Sequence, residues 1–160
     1  MKLQKTIMTA SILIATGYVG VASAHSQAGA VGLAGSGLAK TDVYVVSCFD
    51  GGDFPGVVPT RLHIEVLDKA PVKLPLVSIQ ATKGTASSTL STDAVDGNTA
   101  YSPVATLAGG AGDYTLKVNK SAYTGTVATH KGPETYVARF HCEDNAGNHA
   151  GTEWIMTQNQ

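Results

Sequence analysis

From residue 43 onward, apolar and polar side chains alternate with a period of two. In residues 61–66, Leu62, Ile64 and Val66 fall on one side, and Arg61, His63 and Glu65 on the other. Residues 134–143 (ETYVARFHCE) repeat the pattern over a longer run: Tyr136, Ala138, Phe140 and Cys142 share one face, Val137, Arg139 and His141 the other. Residues 43–49, 76–82, 114–118 and 151–157 read as further strands, dense in β-branched and aromatic residues. Residues 101–107 form a weaker one, interrupted by Pro103. Gly, Asp, Asn and Pro punctuate the gaps at residues 50–56, 96–98, 109–113 and 144–148. No ten-residue window after residue 40 sustains the i, i+3, i+4 spacing of a helix. The pattern predicts an all-β domain over residues 41–160, an antiparallel sandwich of about seven strands.

The first residues break this pattern. Lys2 and Lys5 precede an uncharged stretch over residues 6–21 carrying Ile7, Ile12, Leu13, Ile14, Val19 and Val21. Ala22-Ser23-Ala24 then supplies small residues at the spacing a signal peptidase requires. Residues 1–24 read as a cleaved signal peptide, too short and too polar to stay as an anchor. No other segment is apolar enough to span a membrane, so the expected location is the periplasm or the cell exterior. Residues 25–40 (HSQAGAVGLAGSGLAK) show neither period and read as a flexible Gly/Ala-rich leader.

Two cysteines, Cys48 and Cys142, follow the leader, and in an oxidising compartment an even count reads as a disulfide. Cys48 shares the phase of Tyr44 and Val46, and Cys142 that of Phe140 and Ala138. Both sulfurs are therefore expected to face the interior and to tie one sheet to the other. Only 14% of residues are charged and the net charge is -1, with no basic block, so nucleic acid finds no electrostatic footprint.

The segments GDYTLKV and YVARFHCEDNAGNHAGT, between residues 112 and 152, resemble the last three strands of bacterial extracellular immunoglobulin-like domains. The resemblance implies an immunoglobulin-like sandwich. There is no Trp soon after Cys48, which separates the chain from antibody-type domains.

Candidate chemistry rests on the five histidines: His25, His63, His130, His141 and His149. Cleavage after Ala24 would make His25 the first residue, offering an α-amine and an imidazole to one Cu(II) ion. In this the chain resembles CopC-like copper-resistance proteins and copper-dependent polysaccharide monooxygenases, in which a second histidine completes the site. His63 and His141, both outward by alternation, and His149 are the candidates for that second ligand. Oxygen-rich loops (Asp50 and Asp53; Asp93, Asp96 and Asn98; Glu143, Asp144, Asn145 and Asn148) have ligands suited to calcium, but no EF-hand spacing, and read as turn chemistry. Trp154 is the one aromatic residue to consider as a sugar-stacking platform, since Tyr44, Tyr114 and Tyr136 are assigned to the core. Neither G-x-S-x-G nor H-E-x-x-H occurs, and no residue pair selects itself as catalytic. The sequence thus points to an exported, non-catalytic binding or structural module without a required cofactor, engaging a protein or cell-surface partner. Copper binding by His25 with His63 or His141 is the second reading.

Overall fold

The computed structural model describes residues 25–52 and 55–160. The predicted signal peptide and Asp53 lie outside the described residues. The described residues form ten strands: β1 (His25–Val31), β2 (Lys40–Phe49), β3 (Arg61–Lys69), β4 (Val77–Lys83), β5 (Ala86–Ser87), β6 (Ser91–Thr92), β7 (Ala105–Ala108), β8 (Gly112–Lys120), β9 (Glu134–Glu143) and β10 (Gly151–Gln158). No α-helix occurs among the described residues, only a single 3-10 turn at Ala128–His130. The excess over the expected seven strands comes from β1 and from the two-residue β5 and β6, which sit in the polar Ser/Thr stretch after β4.

The strands make two antiparallel sheets. One has the order β1-β9-β3-β7, and the other β10-β2-β8-β4-β5 with β6 also on β4. Period-two alternation buries one face of each against the other. Leu62, Ile64, Val66, Ala138 and Phe140 come from the first sheet and Tyr44, Val46, Ile79, Leu116 and Val118 from the second, and all ten are wholly buried. Cys48 in β2 and Cys142 in β9 are bonded, with Cα atoms 5.5 Å apart, so the bridge joins the two sheets through the core.

The Gly/Ala-rich segment read as a flexible leader begins with an ordered edge strand. β1 pairs with β9 from His25 opposite Phe140 to Val31 opposite Glu134. Gly29 has a packing reason: a Cβ there would lie 2.5 Å from the Cζ and Oη atoms of Tyr136. The Tyr136 hydroxyl, beneath that glycine, meets Tyr44 Oη at 2.5 Å and donates to Asp42 Oδ2 at 2.8 Å. Low side-chain volume here reflects a ring packed beneath the backbone, a long-range fact that composition alone does not carry.

A candidate metal centre on the outer face of one sheet

The register of β3 against β9 creates the site. His63 lies directly opposite His141, and residues opposite one another in an antiparallel pair project to the same face. Both occupy the outward phase, since their neighbours Leu62, Ile64, Phe140 and Cys142 face the core. The two imidazoles stack, with centroids 4.3 Å apart and planes 24° from parallel. After the 144–148 turn, His149 bridges back to Glu143 and lays its ring on the other side of His141, at 4.2 Å. His141 is thereby sandwiched between two histidines, and although it points outward it is only 7% exposed.

Glu143, two residues along β9 and on the same face, completes the group. Its Oε2 is 3.1 Å from His141 Nε2 and 3.8 Å from His63 Nδ1. Its Oε1 accepts a hydrogen bond from Arg61 Nε at 2.5 Å. Burial alone would raise the Glu143 carboxyl, but Arg61 and His141 outweigh it and hold the group below the ordinary carboxylate range. His141 moves the other way. Burial, reinforced by His63 and His149, pushes its pKa well down against the opposing pull of Glu143. The imidazole is therefore neutral near pH 7, the form that ligates metals.

One ligand atom from each of His63, His141 and Glu143 lies within 4.8 Å of the others. The buried Nδ1 of His141 accepts or donates no hydrogen bond among the described residues. A buried polar atom left unmatched is costly, and a bound ion is one way to satisfy it. Two imidazoles and one carboxylate, with the His149 ring beside them, are donors of zinc and copper proteins rather than of calcium or magnesium. Stacked rings direct their lone pairs side by side, so engaging one ion from both His63 and His141 requires one ring to turn. Arg61 fixes Glu143 from behind, and Arg139, which donates to Glu65 Oε1 at 2.8 Å and lies over the Tyr101 ring, fixes the carboxylate beside His63. Such outer contacts orient ligands.

The remaining candidates separate clearly. His25 lines the 240 Å³ pocket that also contains His141 and His149, and its own buried Nδ1 has no hydrogen-bond partner among the described residues. Its imidazole, however, shares the phase of Phe140 and so leaves β1 on the opposite side of the sheet from His141. His130 accepts from the Leu74 backbone N–H and rests edge-on against Tyr123, away from the cluster. Trp154 stands opposite Val46 and turns inward, making edge contacts with Tyr44 and Phe140. The ring packs partly against the core and is half-buried, with part of it lining a surface pocket beside His25 and Ile155. The turn reading holds for Asp144, whose carboxylate accepts from the Ala146 and Asn148 backbones, and for Asn98, which accepts from Ala100.

His149 was legible as a histidine near the last hairpin, but not as the third ring of a stack; that depends on how the turn folds back. Arg61 was legible only as an outward residue, and Glu143 only as one of the oxygen-rich residues by the 144–148 turn, not as a partner of the histidines. No protein-family model, curated protein or solved structure matches the chain.

Proposed function

We propose that the protein is an exported metal-binding module that holds one transition-metal ion at His63, His141 and His149 with Glu143. Cu(II) is the favoured ion, since it heads the affinity order for divalent ions at nitrogen-rich sites. The supporting observation is His141: an outward-pointing imidazole, more than nine-tenths buried, between two other imidazoles and with a free ring nitrogen. A buried histidine serving only the fold would be expected to satisfy both nitrogens. The sequence reading of a non-catalytic binding module is kept, with its ligand specified as an ion. The export signal and the disulfide fit an oxidising compartment, where Cu(II) is the stable copper state and cysteines are not free to compete.

His25 is given a secondary role. Once freed by cleavage, its α-amine would stand at the edge of the shared pocket and add a nitrogen donor to the ion's outer side. Equilibrium dialysis of the mature protein against Cu(II) tests the reading. One equivalent is expected to be retained, and His141→Ala to release it; an extra residue before His25 should weaken binding without abolishing it. Retention unchanged by His141→Ala and His63→Ala would refute the site.

A further inference from the structure

The opposite end of the same core carries a second group of unmatched ligands, about 17 Å along β3 from His63 at the usual strand rise. Asp68 on β3 and Glu134 on β9 occupy inward phases that elsewhere hold Leu62, Ile64, Tyr136 and Phe140, and both are 0% exposed. Asp96, half-buried in the loop between β6 and β7, reaches in beside them. One carboxylate oxygen from each of the three lies within 4.8 Å of the others. That is about the widest span between two oxygens bound to one calcium ion, whose Ca–O distances are roughly 2.3–2.6 Å.

Among the described residues, hydrogen bonds leave part or all of each carboxylate unmatched. Asp68 Oδ2 accepts from the Val77 backbone at 2.8 Å, while Oδ1 accepts nothing. Asp96 Oδ2 accepts from the Lys73 backbone, while Oδ1 accepts nothing. Both oxygens of Glu134 lack a hydrogen bond, although Lys73 Nζ stands 3.4 Å away as a counter-charge and is itself bonded to the Pro133 carbonyl. Asp93 belongs to the same neighbourhood but is satisfied, capping Asp68 and Val95. Four carboxylates therefore face two ammonium groups, Lys73 and Lys120. Burying this excess of negative charge is expensive without a further cation. In keeping with that, burial and the neighbouring carboxylates raise the Asp68 pKa to about 7.

The geometry points to a calcium site formed by Asp68, Asp96 and Glu134, one that locks the β3 and β9 ends to the 93–98 loop. The donor set is entirely oxygen, which separates it in chemistry from the histidine cluster. Lys73, at the mouth, holds Glu134 when no ion is bound and swings aside when one is.

Thermal unfolding of the mature protein at pH 8, in EDTA or in millimolar CaCl₂, is the test. Calcium is expected to raise Tm by several degrees, because an ion that binds only the folded state stabilises it by mass action. Asp96→Asn, at a half-buried loop position where the amide oxygen can still accept from the Lys73 backbone, is expected to fold and to weaken calcium affinity at least tenfold by calorimetry. It should leave the metal-free Tm equal or higher, since one repulsive charge is gone. His141→Ala should leave the calcium response intact, so the two sites fail or stand separately. An unchanged Tm in calcium, an equal rise in NaCl of matched ionic strength, or a full calcium response in Asp96→Asn would each overturn the proposal.

Discussion

His141 stacks on His63 across the β9–β3 pair, centroids 4.3 Å apart, and is closed over by His149 at 4.2 Å on its other side. Burial between these rings disfavours the charged form of His141, which gives the metal-free protein a pH signature. The native state holds His141 neutral below its ordinary value of 6.5, whereas the unfolded chain takes up the proton. The unfolded state then binds more protons, so stability rises with pH in this window and falls as pH drops below about 6.5. Melting curves in EDTA between pH 7.5 and 5 should show Tm falling with acidity. His141→Gln should flatten that fall, and a wild-type curve flat over the range would contradict the burial of a neutral ring.

Arg61 reaches Glu143 from behind at 2.5 Å and leaves the other carboxylate oxygen for the histidines. Arg61→Ala should lower Cu(II) affinity by about 10–100-fold while the protein still folds, the usual cost of losing an outer-shell partner. Arg61→Lys should recover part of it. Competition with a chromophoric chelator measures both.

Gly29 sits where a methyl group would meet the Tyr136 ring. Gly29→Ala should destabilise the protein by about 1–3 kcal/mol through overpacking. Substituting Ala for Gly35, where an added Cβ meets nothing within 4 Å but φ is +71°, serves as a control for backbone strain alone. Urea denaturation distinguishes them. If β1 were a mobile leader, Gly29→Ala would cost nothing.

Cys48 and Cys142 close a long loop between sheets. Replacing both with Ala should cost about 2–5 kcal/mol. The loss is measured by denaturant midpoint under non-reducing conditions.

These expectations show which parts of the molecule can be read from one dimension. Strands β2, β3, β8, β9 and β10 were legible because each buries one face, and period-two burial is written locally. The inward cysteines followed from the same phase. β1 was not legible, because its Gly29 answers to Tyr136, more than a hundred positions away. The histidine stack was half legible: alternation turned His63 and His141 outward, but the register that sets them side by side, and the turn that returns His149, are tertiary facts. Asp68 lies two residues past Val66 and Glu134 two before Tyr136, so both continue the inward phase, but the apolar runs end before them and the pattern alone did not single them out. Their meeting with Asp96 depends on how the 93–98 loop folds in, which no local pattern carries.

The central claim is that the stacked histidines on the outer face bind a transition metal. An anomalous difference map at the copper edge, from crystals of the mature protein grown with one equivalent of Cu(II), tests it most directly. The account predicts a single strong peak within bonding distance of nitrogens from at least two of His63, His141 and His149, with Glu143 alongside. A map without a peak at this cluster, or with its only peak at His25 alone, would contradict it.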